Sequence, residues 1–291
     1  MNAKKRSIWS YLIVGLKGLC MGAADTVPGV SGGTIAFVTG IYVELLDSIR
    51  SINLSVCSLL IKGQLSAFWK QLNGWFLFTL LCGILASIYS LANLMRYLLQ
   101  THPLPVWSFF TGLVVASAIY ILKDLKNWKV PGVLALLVGV GLGILVCTLS
   151  PTQTPDGYGF IFLTGAIAIC AMILPGISGS FIMVLLGKYA FIMEAVSGLY
   201  WDVLLVFASG ALIGIISFSH FLSWVLKKYY SQTVCLLAGF MFGSVAKIWP
   251  AKHFTHTGLA SQISLAALFI LIGFIMVFGI EFLAKRMRRA G

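Results

Sequence analysis

Acidic side chains are the scarcest feature of this chain: eight Asp and Glu stand against twenty Lys and Arg in 291 residues. Only 10% of the residues are charged and 59% are hydrophobic, whereas a soluble domain carries about 25% charge. That shortage excludes a soluble globular protein. It also turns the net charge of +12 into a matter of loop bias rather than of nucleic-acid binding. Cysteine is thin as well. The six (positions 20, 57, 82, 147, 170 and 235) stand singly in apolar surroundings with no CxxC, so they read as small hydrophobes, neither metal ligands nor disulfide partners. The chain has no HExxH and no carboxylate cluster, and its glycine-rich turns lack the Lys-Ser/Thr ending of a nucleotide loop, so no metal, no ATP and no other cofactor is implied. Nothing reads as a cleavable signal peptide, because the apolar run after Lys4-Lys5-Arg6 continues through Cys20 into Asp25.

What is present is an internal repeat. The stretch Gly18 to Leu45, GLCMGAADTVPGVSGGTIAFVTGIYVEL, is echoed by ILPGISGSFIMVLLGKY from Ile173 to Tyr189. Pro28, Gly29, Ser31, Gly32, Gly40 and Tyr42 match Pro175, Gly176, Ser178, Gly179, Gly187 and Tyr189 at a constant offset of 147. Beyond the motif, Gly83, Gly112 and Ser117 match Gly210, Gly239 and Ser244 at an offset of 127. The first half therefore holds about 20 extra residues in the 47–73 connection, read as an interfacial helix with Trp69 and Trp75 at its end.

Apolar runs long enough to cross a bilayer, about 20 residues each, lie near 74–95, 105–122, 132–149, 201–226, 233–250 and 263–283. The motif regions, about 8–46 and 158–194, are different: each is a pair of short apolar arms broken by Pro-Gly. Proline stops a helix and glycine accepts backbone angles other residues avoid, so each region is expected to be a hairpin that enters and leaves on one side. With the N-terminus inside, this path places 15 Lys and Arg inside and four outside (Arg96, Lys188, Lys247 and Lys252), with Lys17 in the membrane. Two full spans per motif region give the same termini, so charge alone does not separate the two paths. The expected fold is an all-α integral membrane protein with an inverted repeat, each half a re-entrant helical hairpin plus three transmembrane helices. The first repeat is 1–150 and the second 151–291, and both termini are expected in the cytoplasm. An odd number of crossings per half makes the halves point oppositely, the plan of many secondary transporters.

At each hairpin tip a second helix starts after the Pro-Gly pair. Its first N–H groups lack intrahelical partners and sit at the positive end of the helix dipole, an arrangement suited to an anion such as phosphate or carboxylate. Ser31 and Ser178 can cap these helices or offer a hydroxyl to a ligand; Gly32, Gly33 and Gly179 allow a close approach. Thr34 and Ser180 belong to the same tips. Pro and Gly can equally do no more than make tight turns, with the serines capping their own helices. Asp25, whose counterpart is Met172, is an intramembrane carboxylate and hence a candidate coupling acid, or else a helix cap or the partner of Lys17. Lys17 either attracts an anion or snorkels to the inner face. Lys188 gathers an anion at the outer end of the second hairpin or anchors there. Arg96 binds a headgroup or flanks a span, and Glu44 is a second coupling candidate or an interfacial residue.

These paired motifs resemble those of the bacterial and archaeal polyprenyl-phosphate transporter family of the PopT type, over essentially the whole chain. The resemblance implies that a lipid carrier, undecaprenyl phosphate, is returned from the outer to the cytoplasmic leaflet of the inner membrane for cell-wall and surface-polymer synthesis. The residues that carry it are Asp25, Pro28, Gly29, Ser31, Gly32 and Gly33, with Pro175, Gly176, Ser178 and Gly179. The second motif departs in having no Asp and Ser180 in place of a second Gly, which leaves open whether both tips bind phosphate equally. The implied partners are the polyprenyl phosphate and the bilayer, with no nucleic acid and with a homo-oligomer left open. The chain is expected not to be an enzyme. The alternatives are a transporter of a small soluble anion, whose cavity would be closed to lipid, and a membrane enzyme acting on a lipid phosphate, which would release inorganic phosphate.

Overall fold

Within lipid the backbone has no partner but itself, so each long apolar run closes into a helix. The computed structural model describes residues 7–25, 31–123, 125, 129–151, 154–254 and 258–290. The first motif region forms α1 (Ile8–Asp25), α2 (Gly32–Val38) and α3 (Tyr42–Arg50). The connection after it is not one interfacial helix but two short ones, α4 (Leu54–Ile61) and α5 (Leu65–Gln71), followed by α6 (Gly74–Thr101), α7 (Pro103–Lys123) and α8 (Val130–Thr148). The second motif region forms α9 (Tyr158–Ile173), α10 (Gly179–Leu185) and α11 (Tyr189–Gly198). Then come α12 (Trp201–Lys228), α13 (Tyr230–Ile248), a 3-10 turn (Pro250–His253) and α14 (Leu259–Ala290). Six of these helices, α6, α7, α8, α12, α13 and α14, are long and apolar enough to cross a membrane. The chain is an all-helical, multi-pass membrane protein.

Each hairpin has one break more than the two-arm expectation. The axes of α2 and α3 differ by 114°, and those of α10 and α11 by 110°. The cause lies in Gly40 (φ 71°) and Gly187 (φ 68°), which take left-handed backbone angles that a side chain disfavours. The carbonyls freed at the two breaks are satisfied in different ways. Lys17 Nζ donates to Thr39 O at 2.6 Å, whereas the equivalent Leu186 O accepts from Thr154 Oγ1 at 2.8 Å.

The matched glycines are helix contacts. A Cβ on Gly83 would lie 2.2 Å from Gly15 O, and one on Gly210 would lie 2.0 Å from Phe162 O. These close approaches let α1 run along α6 and α9 along α12, as small residues do in membrane helix packing. A Cβ on Gly112 would lie 2.0 Å from Ile270 O, and one on Gly239 would lie 2.1 Å from Leu136 O. So α7 packs on α14 and α13 on α8, while α7 and α13 also touch each other. The third helix of each sequence half thus lies against the second helix of the other half.

Contacts at the ends sort the elements into two faces. Asp47 pairs with Lys227 at 2.9 Å and accepts from Ser223 Oγ at 2.9 Å, which joins α3 to the end of α12. On the opposite face Tyr158 donates to Asp202 Oδ2 at 2.7 Å, and Trp107 stacks on His253 at 6.0 Å. The second hairpin therefore starts beside the start of α12. Gly22 approaches Ile84 O and Ser87, and Cys170 Sγ approaches Gly214 O at 3.6 Å. Ser87 and Gly214 are each the fourteenth of 28 residues in α6 and α12 (87 − 74 + 1 and 214 − 201 + 1), so both tips reach the middle of a long helix.

Candidate functional site

Two hydroxyls build the junction where the tips meet. Ser31 is the N-cap of α2 and accepts from Gly33 N–H at 3.1 Å. Its own proton is directed at the second hairpin, toward Met172 O at 3.1 Å and Leu174 O at 3.2 Å. Thr34 Oγ1 accepts from Gly176 N–H at 3.0 Å. Both side chains have no exposed surface, and all three bonds to the second hairpin link residues more than 140 positions apart. A Cβ on Gly33 would lie 2.6 Å from Ile173 O, so the first hairpin touches the second through bare backbone. Rather than lining an open cavity, the described parts of the tips are hydrogen-bonded to each other. Buried hydroxyls and amides must find partners, and here each hairpin supplies them for the other.

The two tips differ in how their helix N-termini are used. Asp25 Oδ1 accepts from Gly32 N–H at 2.7 Å, so α2 has its first two donors held by Asp25 and Ser31. Asp25 Oδ2 is out of contact with water and has no hydrogen-bond partner among the described residues. In α10 the N-cap Ser178 accepts from no backbone N–H of its helix and is hydrogen-bonded instead to Ser180 Oγ at 2.6 Å. The two hydroxyls at the start of α10 thus engage each other, and its first-turn N–H groups carry no side-chain cap among the described residues. Gly176 (φ 96°) turns the chain against α13, where a Cβ would lie 3.1 Å from Ser244 Oγ. Pro175 is buried in the same turn. Ser117 and Ser244, matched in the repeat, are fully buried and return their protons to Leu113 O at 2.5 Å and Met241 O at 2.7 Å.

The remaining candidates are spread out. Pro28 and Gly29 lie outside the described residues, as does the side chain of Arg96 on α6. Lys17 is half-buried on α1, with its ammonium on Thr39 O. Lys188 is 2% exposed and is enclosed by Thr154 O and Asp156 Oδ1, with the Phe191 ring 5.9 Å away. Its charge is directed at the loop 154–156 and not at the tips. Glu44 Oε1 accepts from Asn73 Nδ2 at 2.9 Å, at the start of α6. Among the described residues no group of His, Cys, Asp and Glu is arranged to hold a metal ion. The segment Gly29-Val30-Ser31-Gly32-Gly33 also has the spacing of a hydrolase nucleophile elbow. The recorded partners of Ser31 Oγ, however, are backbone groups, with no histidine base among them.

Sequence reasoning set no role for Thr34 beyond membership of the tip and passed over Asp156 and Asp47. Only the match of Ser117 with Ser244 hinted that the central helices α7 and α13 would support the tips.

Against known proteins, residues 21–265 match the family described as VCA0040-like, undecaprenyl phosphate translocase-like. The chain belongs to this family. It is 49% identical over 244 residues to the polyprenyl-phosphate transporter of Vibrio cholerae serotype O1 (strain ATCC 39315 / El Tor Inaba N16961), covering 84% of this chain and 79% of that protein. It is 31% identical over 254 residues to the polyprenyl-phosphate transporter of Staphylococcus aureus (strain NCTC 8325 / PS 47), covering 81% of this chain and 85% of that protein. No solved structure matches the chain. Within the family match fall both tips, the hydroxyl junction and the α7–α13 pair; Lys17 lies just before it.

Proposed function

We propose that the chain is a polyprenyl-phosphate transporter that returns undecaprenyl phosphate from the outer to the cytoplasmic leaflet of the cytoplasmic membrane, serving cell-envelope polymer synthesis. The observation that carries this reading is the 49% identity to a named polyprenyl-phosphate transporter over 84% of the chain. Two inverted repeats with cytoplasmic termini suit it. Their hairpins approach from opposite faces, and each tip stops at the middle of its companion helix. The phosphate is received first at the second tip, where the hydroxyls of Ser178 and Ser180 and the uncapped N–H groups of α10 are not committed to a carboxylate. At the first tip Asp25 holds the Gly32 N–H that a phosphate oxygen would otherwise take. A phosphate and an ionised Asp25 repel, so protonation of Asp25 favours the bound lipid; its release on the cytoplasmic side would give transport a direction. The hydroxyl junction is the closed arrangement, and the lipid passes when Ser31 and Thr34 part from the second hairpin. The role is transport and not catalysis.

Purified protein in liposomes tests this directly, with a labelled polyprenyl phosphate placed in one leaflet. Protein-dependent movement to the other leaflet, without release of inorganic phosphate, is the expected result. Uptake of inorganic phosphate with no lipid movement would make the chain a soluble-anion carrier. Phosphate release would make it an enzyme.

A further inference from the structure

The first half alone contains the α4–α5 connection, and this insertion builds a cavity of about 700 Å³ against the starts of α1 and α6. Its size is in the range of ligand clefts, about 300–1,000 Å³. Leu60, Leu65, Phe68, Trp69 and Trp75 supply apolar walls, while Tyr11, Ser66 and Lys70 supply polar groups. The corner is built rather than accidental. Asn73 takes a left-handed conformation (φ 55°) and donates to Glu44 Oε1 at 2.9 Å and Ser48 Oγ at 3.2 Å. The Trp69 ring lies over Gly74, where a Cβ would come within 2.4 Å of it, and meets Trp75 edge-on at 5.7 Å. The Trp69 indole N–H is shielded from solvent with no acceptor among the described residues.

Charge and exposure say what fits there. From 51 to 75 the only charged residues are Lys62 and Lys70, and both are exposed. Beside the cavity Ile61 is 89% exposed and Leu65 is 64% exposed. In a chain that spans a bilayer, such residues next to a Trp pair mark the lipid–water boundary, and lysines there attract anionic headgroups. Tyr11 lies 11 residues before Gly22 on α1, so the cavity is roughly 16 Å along the helix from the tip region. It is a separate place from the hydroxyl junction.

We propose that this cavity is a resident site for an anionic phosphodiester lipid of the membrane leaflet on that face. Its headgroup sits between Lys70 and Ser66 beside the Trp69–Trp75 pair, and its acyl chains follow Leu60, Ile61 and Leu65. The lipid fastens α4–α5 to the α1–α6 pair and so steadies the entrance of the first hairpin. The site does not depend on the transport reading, and its test uses no transport.

The test is a titration of the purified full chain, in neutral detergent, with dioctanoyl phosphatidylglycerol or dioctanoyl phosphatidylcholine, read as bound lipid by native mass spectrometry and as thermal stability. Phosphatidylglycerol is expected to bind saturably and raise the midpoint, with phosphatidylcholine weaker. Lys70→Gln should weaken phosphatidylglycerol about five-fold, the effect of one lysine at an anionic surface. Ser66→Trp, which fills the cavity from an exposed position, should abolish the saturable binding, while Lys129→Gln, at an exposed lysine before α8, should leave it unchanged. Equal binding of the two lipids, or an affinity for phosphatidylglycerol untouched by both Lys70→Gln and Ser66→Trp, overturns the proposal. Displacement of phosphatidylglycerol by substoichiometric short-chain prenyl phosphate would also overturn it, by making the cavity a station for the transported lipid.

Discussion

Thr34→Val is the sharpest probe of the junction. Valine keeps the shape and volume of threonine, so packing around a side chain with no exposed surface is preserved. What it removes is the acceptor for Gly176 N–H at 3.0 Å. That amide belongs to a buried glycine packed against Met241 and Ser244 of α13. Leaving a buried donor unsatisfied costs about 1–3 kcal/mol. If the bond exists only while the tips are together, the ratio of joined to parted hairpins falls roughly five- to hundred-fold. The thermal midpoint should fall by about 2–4 °C per kcal/mol. Thr34→Ser retains the oxygen and should lose far less. The assay pairs thermal unfolding of purified parent, Val and Ser proteins with lipid movement in liposomes. An unchanged midpoint in Thr34→Val, or an equal drop in Thr34→Ser, would refute the claim that this hydroxyl ties the hairpins together.

Ser178→Ala should weaken lipid-phosphate binding roughly ten- to a hundred-fold, since a hydrogen bond to a charged group contributes about 1.5–3 kcal/mol. Ser31→Ala should act mainly on stability, because Ser31 Oγ is occupied by Gly33 N–H and the second hairpin; equal binding losses in the two variants would contradict the assigned difference between the tips. Asp25→Asn keeps an acceptor for Gly32 N–H and should fold and still bind lipid phosphate. The parent's affinity should rise as pH falls and Asp25 takes up a proton, and the Asn variant should lose that dependence; a parent-like pH profile in Asp25→Asn would rule Asp25 out as the coupling acid. Single cysteines placed in 47–73 should be labelled only from the face carrying the termini and those in 194–200 only from the other, and opposite labelling of either set would exclude re-entrant hairpins.

Much of the architecture could be read from the chain because lipid imposes a local rule. Any segment crossing it must be apolar for about 20 residues and must bond its own backbone. The six long helices, the interruption of α1 from α2 and of α9 from α10, and the glycine pairs that bring helices close therefore left marks at fixed sequence positions. Gly40 and Gly187 were visible as a match, but a match carries no angle. Their left-handed backbone, and the bends of 114° and 110° that follow, are conformations that glycine permits but does not dictate, so they are seen only in the folded chain. The exchange of α8 and α14 between the halves left no local trace either, since each helix is equally apolar whichever partner it meets. The same holds for the site. Ser, Gly and Asp near a helix start are compatible with capping or with binding, and the choice depends on which partner comes within hydrogen-bond reach. For Ser31 that partner is the carbonyl of Met172, 141 residues away, for Lys188 it is the Asp156 carboxylate in the loop before α9, and for Asp25 it is the N–H donor of Gly32 seven residues on. Hydrogen bonds of this kind act over a few ångströms in space and not along the chain, so only the tertiary structure could decide them.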